Sequence, residues 1–220
     1  MLCNDMPICQ FPDFGYKCYN MLYMKKIALF ASGSGTNAEN LIKYFSNGKK
    51  AKVVAVFTNN PKAFVIKRAE RLGVDVVIFD RGALYDSSEL ADELIFREID
   101  LIVLAGFLWK IPPSLTEIWR DRIINIHPAL LPAYGGRGMY GEHVHRAVLD
   151  AGETRSGITI HYVNEEYDKG DTIFSATCDV LPGDTPSSLA DRIHQLEYKY
   201  YPRVIEEIAE RLPPVQSRQR

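Results

Sequence analysis

The sequence predicts an α/β fold: a doubly wound, mostly parallel sheet with an antiparallel addition and a long C-terminal helix. Three observations predict it. Apolar runs alternate with helical periodicity from Lys25 onward; a glycine loop, "SGSGTN", joins the first run to the first helix; and two β-rich runs lie close together before a final amphipathic stretch. Continuous apolar runs separated by short helices mark a parallel sheet covered on both faces. A short connection between neighbouring strands favours an antiparallel pair instead.

In chain order, the expected parallel strands are residues 26–32, 52–59, 75–80, 100–106 and 122–128, each dominated by Val, Ile, Leu, Ala and Phe. Helical spacing between them predicts helices near 38–46, 63–72 and 87–97. "SGITIHYV" (156–163) and "DTIFSATCDV" (171–180) read as the added antiparallel pair. The closing helix has Thr185 to cap it and Pro186 in its first turn. Leu189, Ile193, Leu196 and Tyr200 are placed to line one face, and Pro202 is expected to kink or interrupt it. The architecture is Rossmann-like, with ligands expected at the carboxyl ends of the strands.

The chain has 220 residues, 46% hydrophobic and 25% charged, with a net charge of −2. That length suits one well-buried domain, assigned to residues 24–220. The near-neutral balance gives no basic field for nucleic acid or anionic lipid. Lys49, Lys50 and Lys52, and likewise Arg211, Arg218 and Arg220, read as solvated clusters. No apolar run approaches the roughly 20 residues that span a bilayer. Cys3, Cys9, Cys18 and Cys178 form neither a disulfide framework nor paired zinc ligands, so a reducing cytoplasm is expected. Residues 1–23 lack periodicity and the charged start of a signal peptide. They read as a disordered extension or as sequence ahead of a natural start at Met24.

The glycine loop opens the first helix, where backbone approach and free N–H groups favour an anion. Gly33, Gly35 and Ala38 match a loose dinucleotide fingerprint. Yet "FTNNP" after the second strand has no carboxylate for a ribose, and the loop lacks the Lys-Ser/Thr of a nucleoside triphosphate site. A single terminal phosphate is the better expectation, with a ligand-free turn as the other reading.

"IINIHPALLP" places Asn125 and His127 two apart in an apolar run. Alternate residues of a strand face the same way, so the two are either a hydrogen-bonded core pair or a catalytic pair at a strand end. Glu142, His143 and His145 are crowded in "EHVHRAV", but helix positions two apart do not face each other. They read as capping or surface residues, and His161 reads as a packed or hydrogen-bonded mid-strand residue. No metal site is expected.

Taken together, "SGSGTN", "LAGFLWKIP", "NIHPALLP" and "DKGDTIF" resemble, in order and approximate spacing, the phosphoribosylglycinamide formyltransferase family of folate-dependent purine-synthesis enzymes. The resemblance implies formyl transfer from 10-formyltetrahydrofolate to the amine of glycinamide ribonucleotide. It implies Asn125, His127 and Asp168 as catalytic residues and Gly35, Thr36 and Asn37 as phosphate contacts. His194 and Glu197 fall at substrate-binding positions, although relatives can carry Gln at the former. The folate pocket is implied at Leu108, Trp109, Lys110 and Ile111, with Asn125 and with Asn164, Glu165, Glu166, Tyr167 and Asp168. Ser88 stands where some relatives have a folate-contacting Arg, and Trp109 where they have a basic residue.

An attacking amine builds negative charge on the formyl oxygen, so fixed donors are needed there. A carboxylate beside His127 is expected to favour the charged imidazole, and an Asp–His pair can carry the proton. The glycine-rich stretch 133–145 is longer than in those relatives and is expected to act as a mobile lid. The implied partners are small molecules, with neither nucleic acid nor membrane, and the chain is expected as monomer or homodimer. Two alternatives stay open: a sister folate enzyme that hydrolyses the donor or formylates an aminoacylated tRNA, and a non-catalytic nucleotide-binding module. The short N-terminal stretch argues against the hydrolase. The end of the chain soon after its last helix argues against the tRNA enzyme.

Overall fold

A computed structural model describes residues 24–47 and 49–213; the N-terminal extension expected over 1–23 lies outside the described residues. The strands are β1 (Lys25–Phe30), β2 (Ala51–Thr58), β3 (Asp75–Ile78), β4 (Leu101–Leu104), β5 (Ile123–His127), β6 (Arg155–Tyr162) and β7 (Thr172–Asp179). They form one seven-stranded sheet in the order β3-β2-β1-β4-β5-β6-β7. Pairing is parallel from β3 to β5 and antiparallel for β5–β6 and β6–β7. The two late apolar runs do form an antiparallel addition.

The helices are α1 (Thr36–Phe45), α2 (Val65–Arg71), α3 (Arg81–Tyr85), α4 (Glu89–Phe96), α5 (Pro113–Ile118), α6 (Glu142–Asp150) and α7 (Pro186–Arg211). One apolar layer joins Leu29, Leu41, Val103, Ile124, Ile160 and Ile193; the other joins Phe30, Phe57, Leu94, Ile102, Leu115 and Ile123. Because neighbouring strand residues face opposite ways, Ile123 and Ile124 enter different layers. That is why the central strands are apolar throughout. Chain order reverses between β1 and β4, and at such a point the flanking loops diverge and leave a crevice.

α3, α5 and α6 have no counterpart in the sequence expectation; α3 and α5 are short, and α6 opens directly from the glycine-rich stretch at Gly141. Asp80 caps α3 by accepting from the Ala83 N–H, and Pro113 starts α5. No helix among the described residues is long and apolar enough to cross a membrane.

The last helix departs from expectation. Thr185 and Ser188 form a reciprocal capping box, but Pro202 does not interrupt α7, which continues to Arg211. Proline removes the bond to the carbonyl four residues back. Here that carbonyl, Tyr198 O, accepts Asn40 Nδ2 at 3.0 Å, so α1 supplies the missing donor. The buried stripe is Leu189, Ile193, Glu197 and Tyr201, whereas Leu196 and Tyr200 are only half-buried. Tyr201 is fully buried, and its hydroxyl donates within 2.9 Å of Leu104 O and 3.2 Å of Ile124 O. It ties α7 to the carboxyl end of β4 and the start of β5. Tyr201→Phe is expected to lower unfolding free energy by about 1–2 kcal/mol in urea titrations, and an unchanged midpoint would refute that tie.

Candidate active site

A cavity of about 530 Å³ opens at the carboxyl ends of β1, β4 and β5, the switch point of the sheet. The glycine loop forms one end. Gly35 has φ +73, and a Cβ there would overlap the Val65 side chain. Only glycine permits both the left-handed turn and the close approach of α2. The first N–H groups of α1 have no partner within the helix. Gly33, Ser34, Gly35, Thr36 and Asn37 all line the cavity. Ser32 Oγ accepts the Leu108 N–H at 3.0 Å, tying this loop to the one after β4.

α7 delivers Glu197 to the same end, buried to 4% exposure. Its Oε2 accepts Asn37 Nδ2 at 2.9 Å and His194 Nδ1 at 2.8 Å, and Asn37 Oδ1 is buried without a partner. The hydrogen bond to Glu197 raises the His194 pKa against the opposing effect of burial. This pair therefore stabilises the fold fully below the free value of about 6.5 and less as pH climbs through the raised value. Glu197→Gln should bring the His194 titration down toward its free value, as read by NMR; an unmoved titration would remove the pair.

At the other end stand Asn125, His127 and Asp168. β5 aims the first two to one face, as the period of two requires. Asp168 arrives on the loop after β6, with φ 55, a left-handed turn that Asp tolerates. His127 is 3% exposed; its Nε2 lies 2.7 Å from Tyr134 O and its Nδ1 3.6 Å from Asp168 Oδ2. A carbonyl only accepts, so Nε2 carries the proton and the neutral ring keeps its lone pair on Nδ1, facing Asp168. Burial lowers the His127 pKa; Asp168 and the Tyr134 carbonyl oppose it without prevailing. The charged imidazole expected from the neighbouring carboxylate is thus corrected: desolvation outweighs attraction.

Asp168 Oδ2 accepts the Gly136 N–H at 2.9 Å, and Oδ1 lies 3.4 Å from Asn125 Nδ2. Burial pushes this carboxyl up, yet it is held below the ordinary range, with the Gly136 N–H donating directly to it. The pair rests as neutral imidazole and carboxylate, which suits taking up a proton.

Of the remaining site candidates, Leu108 and Tyr167 line the cavity, with Phe107 beside them. Trp109, Lys110, Ile111, Asn164, Glu165 and Glu166 lie outside its lining. Ile111 is buried in the apolar layer, Trp109 packs toward Phe107 with ring centroids 6.5 Å apart, and Lys110 O accepts from the Tyr85 hydroxyl. Ser88 is exposed and donates to Asp92. Among the described residues, no cluster of His, Cys, Asp and Glu is placed to hold a metal ion.

One histidine departs from the sequence expectation, and a second, His161, is packed and hydrogen-bonded as expected. His145 is not on the surface: it is 2% exposed, lines the cavity and has an unpartnered Nδ1. Its spacing from Val144 and Val148 on the buried face of α6 is the signal that locates it. His161 is cross-strand partner to Asn125, and the alternation of β6 was the available clue. His143 is exposed, as expected.

The glycine-rich segment, expected as a lid, also contacts two of the candidate catalytic side chains through its backbone. Tyr134 O and Gly136 N hold His127 and Asp168 directly, and a Cβ on Gly135 would sit 2.6 Å from Leu131 Cδ2. Shortening 135–141 should therefore lower kcat as well as raise the substrate KM. A change confined to KM would leave only the lid.

Residues 25–205 match the formyl transferase family. A chloroplastic phosphoribosylglycinamide formyltransferase of Arabidopsis thaliana is 41% identical over 84% of this chain and 66% of that protein. The chain thus spans just under two thirds of that relative. A phosphoribosylglycinamide formyltransferase of Haemophilus influenzae is 35% identical over 83% of this chain and 86% of its own length. The crystal structure of the Anaplasma phagocytophilum phosphoribosylglycinamide formyltransferase superposes with a TM-score of 0.79 at 33% identity, covering 86% of this chain and 88% of that one.

Proposed function

The chain belongs to the formyl transferase family, and on that premise we propose that it transfers the formyl group of 10-formyltetrahydrofolate to the amine of glycinamide ribonucleotide. The observation that carries the reading is the approach of Asn125 and His127 to within 3.4 and 3.6 Å of Asp168 at one end of a cavity whose other end is a helix start suited to an anion.

The ribonucleotide phosphate is assigned to the N–H groups and side chains of Gly35, Thr36 and Asn37. Glu197 and His194 are assigned to the body of the substrate, which directs its amine toward Asp168. The residues present also fit a flat folate ring: Phe107, Leu108 and Tyr167 give the cavity an apolar flank, and Trp109 extends it outward. Asn164, Glu165, Glu166, Lys110 and Ile111 are assigned to shaping that flank's mouth and backing. When bound, the donor supplies the electrophilic formyl carbon.

His127 Nδ1 is the proton acceptor for the attacking amine and later returns the proton to the departing nitrogen. Asp168 favours the resulting imidazolium across 3.6 Å. Asn125 offers an N–H to the oxygen that gains charge, a donor role worth about 3–4 kcal/mol in comparable sites. We assign the reaction to a reducing compartment such as the cytoplasm, where the free thiol of Cys178 persists, and to a monomer or homodimer.

The test is to mix protein, ribonucleotide and formyl-folate and follow the deformylated folate by absorbance. Product without the ribonucleotide would identify a hydrolase, and absence of product under any condition would leave a binding module. The acid limb of kcat/KM should lie below the free imidazole value of about 6.5, because His127 titrates low. Asp168→Asn should move that limb lower still and cost at least roughly 100-fold in kcat. Near-normal turnover would take Asp168 out of the mechanism.

A further inference from the structure

We propose that His161 is a positioning residue: held as the neutral Nδ1–H tautomer, it fixes the Asn125 side-chain amide so that one N–H is spent on His161 and the other faces the reacting oxygen. The inference rests on the formyl-transfer reading for its kinetic consequence, but not for its geometry.

His161 is 2% exposed on β6, directly across from Asn125 in the antiparallel register. Its Nδ1 lies 2.7 Å from Tyr162 O. A carbonyl only accepts, so Nδ1 bears the hydrogen, and in the neutral ring Nε2 is an acceptor. That nitrogen meets Asn125 Nδ2 at 3.1 Å. A tautomer is set by the bond its other nitrogen makes, and here the tautomer in turn sets the amide.

The alternative amide orientation is penalised twice. With Asn125 reversed, its oxygen would face the lone pair of His161 Nε2 and, at the same time, the Asp168 carboxylate. As placed, the second Asn125 N–H has only Asp168 Oδ1 beside it, at 3.4 Å, long enough for a better acceptor to displace. His161 itself sits 3.6 Å from Asp168 Oδ1, beyond hydrogen-bond reach. Its pull on that carboxyl would need a proton on Nε2, which the Tyr162 contact and the Asn125 donor withhold. The Gly136 N–H, at 2.9 Å, is the contact that holds Asp168 ionised.

Ring-nitrogen NMR of the histidine-labelled protein, with His161 assigned through the His161→Gln variant, reads the tautomer without substrate. Signals of the Nδ1–H form are expected; an Nε2–H or doubly protonated ring would overturn the proposal. In the formyl-transfer assay, His161→Leu should lose roughly 10–100-fold in kcat with both KM values little changed. His161→Gln, whose amide oxygen can accept from Asn125, should recover much of the loss. A Leu variant at near-parental kcat, a loss confined to KM, or a folded Gln variant no better than Leu would each overturn it. If the unaltered protein transfers no formyl group, the functional reading fails alone, and the tautomer still decides this one. The tautomer likewise decides if the Leu variant does not fold.

Discussion

The structure turns on a group of polar side chains that share a dry place at the end of β5 and must satisfy one another. His127 and His161 are almost fully buried, and Asn125 and Asp168 are partly so. An unpaired polar group in such surroundings costs about 1–3 kcal/mol. Three of the four recruit a main-chain partner, Tyr134 O for His127, Tyr162 O for His161 and the Gly136 N–H for Asp168, while Asn125 turns to His161 and Asp168. Loop geometry and protonation state are thereby linked. The glycine-rich segment cannot leave without exposing an imidazole and a carboxylate that its backbone now satisfies.

The opposite end is organised by one helix. Tyr201 anchors α7 to β4 and β5, and Glu197, one turn earlier on the same face, is carried into reach of Asn37. The proline that should have broken α7 instead frees a carbonyl, which Asn40 takes up. α1 thus meets α7 through Asn37, Asn40 and Tyr44, the last donating to Glu206. The N-terminus proposed to hold phosphate is thereby set against the carboxylate proposed to hold the rest of the substrate. A local defect in one helix has become a tertiary contact beside the site.

These relations explain what the sequence discloses. Strands were legible because burial on both faces writes itself as unbroken apolar runs, and Asn125 with His127 because strand period is a local property. The glycine loop was legible as an anion site from its own residues, but Asp168 and Glu197 were reached only through resemblance, since they lie far from it along the chain. The direction of the His127 titration was misjudged because burial is a property of the assembled fold and exceeded the visible neighbour. His161 looked ordinary because its importance lies in the residue across the sheet. Pro202 misled because the donor that rescues its helix is in another helix, and His145 because the face of α6 that is covered depends on what packs against it.

The resting state of the proposed proton acceptor has a consequence for catalysis. A site that held His127 as an imidazolium against Asp168 would stabilise the ground state as much as any later one. Such uniform binding adds nothing to the chemical step. Here burial keeps the imidazole neutral while the Gly136 N–H keeps the carboxylate ionised. At 3.6 Å there is little between them until a proton arrives on Nδ1. The attraction then appears in a setting of low dielectric, where opposite charges at that distance interact far more strongly than in water. In the proposed reaction the pair is most favourable when the amine has given up its proton and negative charge sits on the formyl oxygen. Desolvation of His127, which alone would oppose protonation, is what confines the stabilisation to that moment.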